Sequence, residues 1–271
     1  MKNKFKLNSS TLLVFILTTG VFGIINTEMG VIGILPLIAE NFQVTVPEAG
    51  WTVSIFALVV AISAPITPLL FSGINRKKVM ILALGLFTLS NIISMMTTNF
   101  TVLLISRALP AFLHPVYVSM AFTVAAASVS KEKAPKAVAK VFIGVSAGMV
   151  LGVPVTSYIA SEVSYSMGML FFTVVNALVL VATILFVPSM PVKEKLSYGT
   201  QLSVLKKKVV WYSILAITLI NGALFGFFSY MSDYLKTITG VSYTVISTML
   251  LIYGLANIIG NVIAGKQLAV N

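Results

Sequence analysis

The 271-residue sequence contains no cysteine, only one histidine and only seven acidic residues. Without cysteine the chain can form neither disulfides nor thiolate metal sites. The single histidine is isolated in the sequence from other plausible metal ligands, and we find no phosphate-binding loop and no nucleophile with an adjacent base. The sequence therefore predicts no cofactor, no bound metal and no enzymatic reaction.

Charge is scarce as well: charged residues make up 9% of the chain, against 58% hydrophobic residues. Apolar runs of 18 or more residues recur along its whole length, and each is long enough to cross a bilayer as a helix. A large soluble core is excluded because it would show shorter, amphipathic pieces. The composition predicts an all-α, polytopic transmembrane helical bundle.

The formal net charge of +11 is distributed by topology. Sixteen of the eighteen basic residues fall at the N-terminus or in every second connection between apolar runs, and the intervening connections carry Glu40, Glu48, Glu162 and Asp233. This positive-inside pattern predicts a multi-pass protein of the inner or plasma membrane with a cytoplasmic N-terminus. It also argues against nucleic acid as a partner and leaves the lipid bilayer as the surface that the lysines meet.

Eight spans are predicted, at residues 11–38, 50–71, 79–96, 103–127, 141–159, 167–187, 211–234 and 244–264. The N-terminal apolar run continues through LPLIA and lacks a cleavage site, so it is a retained span rather than a signal peptide. A long connection rich in lysine and proline follows the sixth span. The predicted organisation is a six-helix bundle over 1–190, a cytoplasmic connecting loop over 191–209, and the first two helices of an incomplete second bundle over 210–271.

Three ionisable side chains lie within predicted spans: Glu28, Arg107 and His114. Charged groups in a span are costly and tend to face a protein-lined or wet cavity. Arg107 and His114 are seven residues apart, which places them on one face of a continuous helix about 10 Å apart. Alternatively, Arg107 extends to the headgroups, His114 satisfies backbone freed by Pro110 and Pro115, and Glu28 is solvated near the outer surface.

Several motifs resemble those of the major facilitator superfamily. SRALPAFLHPVY is similar to the family's fourth-helix motif, and NTEMGVIGILPLIAENF to the first helix of its drug:proton antiporter branch, especially bacterial sugar-efflux and purine-efflux-like transporters. GVSAGMVLGVP, with Gly144, Gly148, Gly152 and Pro154, resembles the fifth-helix antiporter motif. The glycine spacing by itself predicts close packing of another helix, and the resemblance adds a seal against proton leakage.

This resemblance implies two six-helix halves around a central cavity and proton-coupled efflux of a small solute such as a drug, sugar or nucleoside, with drug resistance as a consequence. Glu28, Arg107 and His114 are then expected to couple protons, and Asn26, Asn221 and Tyr230 to bind substrate. In the gating loop PLLFSGINRKK only Arg76 and Lys77 match the family pattern, and its aspartate is missing.

Two other classes of function stay open. The last residues, GNVIAGKQLAVN, resemble the second-half copy of the gating loop, so we expect about four further family helices to be missing. A truncated, non-transporting remnant, or an interaction subunit completed by an oligomer or another chain, is therefore an alternative. A membrane-embedded enzyme would need a second catalytic group near Glu28 or His114, and the sequence offers none at short range.

Overall fold

The computed structural model describes residues 9–192 and 206–268, and side chains over 10–192 and 206–256. That part of the chain is helical and contains no strand. Seven of its helical segments are long and apolar enough to span a membrane, and the eighth predicted span is also a helix. The helices are Ser9–Met29, Leu35–Phe42, Val46–Ala49, Trp51–Ser63, Thr67–Leu70, Arg76–Met96, Phe100–Ala111, His114–Ala127, Ala134–Glu162, Tyr165–Phe186, Lys208–Thr237 and Tyr243–Leu268.

The fourth span is broken where the sequence predicts a continuous helix. One helix covers Phe100–Ala111 and a second begins at His114, with a turn at residues 112–113 between them. Pro115 lies in the first turn of the second helix, where its missing N–H costs nothing, whereas in the middle of a helix it would remove a hydrogen bond. The break makes His114 the first residue of a helix.

The first span also changes geometry near its middle. The α-helix Ser9–Met29 continues as a 3₁₀ segment, Gly30–Ile34, before the helix Leu35–Phe42. The 3₁₀ segment is buried and closely packed: a Cβ atom on Gly30 would lie 2.6 Å from the ring of Phe172, and one on Gly33 would lie 2.8 Å from Val153. Glycine at these positions allows the tightened turn to lie against the fifth and sixth spans.

The glycine strip of the fifth span packs directly against the first span. A Cβ atom on Gly144 would collide with the carbonyl oxygen of Thr18, and one on Gly148 would lie 2.8 Å from Cβ of Ile25. A Cβ on Gly152 would lie 2.7 Å from Oδ1 of Asn26. The predicted close approach of another helix is confirmed, and the partner is the first span.

The seventh and eighth spans contact the first six mainly at one end of the bundle. We call this the acidic end, after Glu40, Glu48, Glu162 and Asp233, and the opposite end, with Arg76–Lys78 and Lys131–Lys140, the basic end. At the acidic end the hydroxyl of Thr244 donates to Glu162 at 2.9 Å, and that of Ser247 donates to Ser157 at 3.1 Å. Residues 211–224 of the seventh span, toward the basic end, are exposed. The groove between the two helix groups thus opens toward the basic end.

We predict that Gly148→Leu lowers the stability of the folded chain, because the added side chain must displace Ile25 on the first span. Overpacking of this kind costs roughly 1–3 kcal/mol. The thermal midpoint of purified protein in mild detergent measures the effect. Gly85→Leu is the matched control, since a Cβ at Gly85 meets nothing within 4 Å; equal loss in both variants would contradict the packing role of the strip.

Candidate functional site

Arg107 lies at the centre of the candidate site and is only 3% exposed. Its guanidinium donates three hydrogen bonds to backbone carbonyls: Nη1 to Thr27 at 2.7 Å, Nη2 to Glu28 at 3.2 Å, and Nε to Thr52 at 3.2 Å. The last carbonyls of an α-helix lack donors four residues on, so Thr27 and Glu28 at the end of Ser9–Met29 are natural acceptors. The sequence analysis expected Arg107 to face a protein-lined or wet cavity. In the structure its guanidinium is instead bonded to backbone carbonyls and joins the first, second and fourth spans.

The aromatic ring of Phe56 lies between the two basic side chains of the fourth span. The Arg107 guanidinium carbon is 5.0 Å from the ring centroid, a cation–π distance. His114 meets the same ring edge-on, with the ring centroids 5.8 Å apart. The predicted shared face of Arg107 and His114 is therefore retained around Phe56, although the helix between them is broken.

Glu28 and His114 form the closest pair of titratable groups in the site. Nε2 of His114 lies 3.1 Å from Oε2 of Glu28, and the two side chains are 12% and 19% exposed, respectively. The geometry of this contact does not meet hydrogen-bond criteria. The contact is an ion pair when the imidazole is protonated and the carboxylate is ionised. The sequence offers neither residue a second catalytic group at short range, and the fold brings the two together because it joins residues 86 positions apart.

A buried polar network that the sequence analysis did not identify surrounds Thr27. Its hydroxyl donates to Gly23 at 2.9 Å and accepts from Asn176 at 2.9 Å and from Asn91 at 3.3 Å. Together with Arg107 on its carbonyl, Thr27 connects the first span with the third, fourth and sixth. The signal in the sequence was one asparagine within each of two largely apolar spans, Asn91 in the third and Asn176 in the sixth.

The three predicted substrate-binding residues do not come together. Asn26 is fully buried against Gly152, and neither atom of its amide has a hydrogen-bond partner in the described part of the chain. Asn221 is exposed and its amide donates to Ile217 of its own helix at 2.9 Å. Tyr230 lies at the acidic end, where its hydroxyl would be 2.6 Å from a Cβ atom on Gly50.

The gating-loop residues contact the end of the sixth span. The backbone N–H of Arg76 donates to the carbonyl of Met190 at 3.1 Å, and Nζ of Lys77 donates to that of Ile184 at 2.8 Å. Asn75, which stands beside them, donates to Ser189 at 2.8 Å. The loop is thus tied to the connection between the two helix groups without the missing aspartate.

An apolar cavity of about 190 Å³ lies between the two helix groups. It is lined from the fifth, seventh and eighth spans and by Met29, the residue after Glu28; its larger side chains are Phe142, Met149, Phe225, Phe228 and Tyr253. The rings of Phe228 and Tyr253 are stacked, with centroids 4.9 Å apart. Such a lining suits apolar and aromatic groups far better than sugars.

Within the described ranges, no three histidine, aspartate or glutamate side chains come together in a way that could hold a metal ion. The chemistry available to the site is therefore that of its own side chains: a fixed guanidinium, and a carboxylate paired with an imidazole inside a membrane-spanning bundle.

The sequence profile of the Major Facilitator Superfamily matches residues 12–268. The chain belongs to this family. It is 30% identical over 250 residues to the inner membrane transport protein YdhP of Escherichia coli strain K12, covering 92% of this chain and 64% of YdhP. It is 32% identical over 256 residues to the MFS-type transporter YtbD of Bacillus subtilis strain 168, covering 92% of this chain and 63% of YtbD.

The fold agrees with solved structures of the family. A bacterial homologue of the human lysosomal transporter Spinster, crystallised in an inward-facing and unoccupied conformation, superposes with a TM-score of 0.71 at 16% identity, over 92% of this chain and 60% of that one. The human organic anion transporter MFSD10 superposes with a TM-score of 0.64 at 16% identity, over 91% of this chain and 70% of that one. The chain is a multi-pass membrane protein of a transporter family rather than an enzyme family.

We predict that Thr27→Val destabilises the bundle by roughly 1–2 kcal/mol, because it removes the hydroxyl that serves Asn91 and Asn176. The thermal midpoint in mild detergent is the measurement. Thr19→Val is the matched control, since the Thr19 hydroxyl is exposed and bonds to Phe15 of the same helix. If Thr27→Val were no more damaging than this control, Thr27 would not connect the spans energetically.

Proposed function

We propose that the chain is part of a proton-coupled exporter that exchanges protons for a small, largely apolar solute, and that Glu28 and His114 together form its proton site. The observation that carries the proposal is the 3.1 Å contact between the two side chains inside the transmembrane bundle. Intramembrane ionisable groups are expensive and mark proton or substrate pathways. The Glu28 side chain is partly exposed whereas both ring nitrogens of His114 are buried, so in this proposal protons reach the pair through Glu28.

The pair offers a carrier three protonation states, each one proton apart from the next. With one shared proton the pair is a carboxylate beside an imidazolium, or equally an acid beside a neutral imidazole, and its net charge is zero. Adding a proton gives net charge +1, and removing one gives −1. Each change alters the net charge that the surrounding bundle must accommodate. Proton binding can therefore bias the arrangement of the two helix groups.

Arg107 supplies the constant charge in this scheme. Its hydrogen bonds to the carbonyls of Thr27 and Glu28 fix the backbone that carries the Glu28 side chain. The guanidinium stays protonated across the physiological range. Arg107 therefore acts as a positioning residue that holds Glu28 beside His114 and stabilises a negative charge on the pair.

The proposed direction of transport is export, and it is supported by the topology and by the end at which the groove is open. By the positive-inside rule the basic end faces the cytoplasm. The proposed membrane is the inner membrane, because the relative YdhP is named an inner membrane transport protein. The groove between the helix groups is open toward the basic end and closed at the acidic end by the Thr244–Glu162 and Ser247–Ser157 contacts. This arrangement is the cytoplasm-facing state, which receives a solute for export.

The proposed solute is amphipathic and mainly apolar rather than a sugar or nucleoside. The cavity next to Met29 presents aromatic and methionine side chains, with Ser146 as a hydroxyl among them. Asn26, expected to bind substrate, is buried against Gly152, and the amide of Asn221 bonds within its own helix, so neither supports a sugar as the solute. An aromatic, amphipathic compound suits this lining.

The pairing of Glu28 with His114 is the arrangement that an enzyme would have needed, and the family assignment is the reason for choosing transport instead. The chain spans 64% of the length of YdhP and 63% of that of YtbD, so the activity of the whole transporter remains our proposal. Experiments therefore use the gene's complete reading frame, including any codons beyond 271.

We predict that Glu28→Gln abolishes solute-driven proton movement, because the glutamine side chain cannot bind or release a proton at physiological pH. The measurement is the collapse of a preformed pH gradient in proteoliposomes after addition of ethidium, tetraphenylphosphonium, arabinose or inosine. The parent protein should respond to the first two compounds and not to the sugar or nucleoside.

Glu40→Gln is the matched control for this experiment, since Glu40 is an exposed carboxylate on the same span. It should behave as the parent protein. A parent-like response of Glu28→Gln would contradict the coupling role, and a response to arabinose or inosine alone would contradict the proposed solute class.

A further inference from the structure

A second, larger cavity lies at the basic end, away from the Glu28 site. It has a volume of about 620 Å³ and is formed by the start of the first span, the turn after the fourth span and the start of the fifth span. Among the described residues its charged lining consists of Lys133, Lys136 and Lys140, without a carboxylate. Ser10, Thr11, Ser128 and Ser130 complete the polar part of the lining; the hydroxyl of Ser128 donates to the carbonyl of Ala125 at 2.8 Å, and that of Ser130 donates to Glu132.

The three lysines are arranged at a local energetic cost. Lys136 and Lys140 are four residues apart on the helix Ala134–Glu162 and Lys133 directly precedes this helix, so the three like charges are close together and repel. Lys133 and Lys136 also lie at the first turn of the helix, where its dipole disfavours cations and favours anions. An anion in the cavity would offset both costs.

The positive-inside rule explains why lysines lie at this end of the bundle, but it requires no cavity. Lys206, Lys207 and Lys208 provide a comparison within the same chain: they carry the same charge at the basic end and are exposed, as Lys133, Lys136 and Lys140 are, but they line none of the cavities described here. The convergence of Lys133, Lys136 and Lys140 with hydroxyl groups on one concave surface therefore needs a separate explanation.

We propose that this cavity binds a phosphate group, and that its source is the headgroup of an anionic phospholipid in the leaflet at the basic end. Lysines donate to phosphate oxygens as mobile point charges. Val14, Val129 and Ala137 line the same cavity, which gives the apolar part of a lipid a surface that a free ion would not use. The volume of about 620 Å³ is far more than a bare phosphate requires.

The test measures the thermal midpoint of the delipidated full chain in detergent as phosphatidylglycerol is added. Phosphatidylcholine and inorganic phosphate serve as the other two arms. Phosphatidylglycerol should raise the midpoint in a saturable way, and the two other additions should not. Removing the lysines together, as Lys133→Gln, Lys136→Gln and Lys140→Gln, should weaken the apparent affinity roughly a hundredfold, about fivefold for each lysine.

The matched control is the triple variant Lys206→Gln, Lys207→Gln and Lys208→Gln, which removes the same charge and should keep the parent affinity. Lys136→Gln alone, with an expected loss of about fivefold, provides a reading if the triple variant folds poorly. Equal weakening in both triple variants, or no response of the parent to phosphatidylglycerol, overturns the site. An equal response to inorganic phosphate overturns the lipid as its source. No arm uses transport, so this result is separate from that on Glu28.

Discussion

The structure depends on one buried cation, Arg107, held by the backbone rather than by a carboxylate. Taking a guanidinium out of water costs several kcal/mol, which is offset only when its donors are well used. Here three of its N–H groups reach the carbonyls of Thr27, Glu28 and Thr52, and its face lies on Phe56. Because the carbonyl dipoles satisfy Arg107, the carboxylate of Glu28 is left to pair with His114.

Glu28 lies between a firmly held part of the bundle, around Thr27, and the groove between the two helix groups. Thr27 accepts hydrogen bonds from Arg107, Asn91 and Asn176, so the backbone before Glu28 is held by three other spans. Directly after Glu28, Met29 lines the apolar cavity that faces the seventh and eighth spans. A change of protonation at Glu28 therefore occurs where a rigid bundle meets the groove between the two helix groups.

Much of the fold could be predicted from the sequence, because long apolar runs and alternating basic loops determine the helices and their order. The glycine spacing in the fifth span likewise predicted close packing, although not its partner. The pairing of Glu28 with His114 could not be predicted, since it depends on the break at residues 112–113 and on how the first and fourth spans are rotated toward each other. For the same reason the sequence analysis expected Arg107 to face a cavity rather than backbone carbonyls, and it did not identify the Thr27 network.

The most direct test of the account is the NMR spectrum of the His114 ring nitrogens in the 271-residue chain. His114 is the only histidine in this sequence, so ¹⁵N-histidine labelling, with an affinity tag that contains no histidine, reports its ring nitrogens without assignment. Because Nε2 of His114 lies 3.1 Å from Oε2 of Glu28, the account predicts that the ¹⁵N chemical shifts of the ring change when Glu28 is replaced by glutamine and stay in place when Glu40 is replaced. Unchanged ring shifts in Glu28→Gln would contradict the shared proton site.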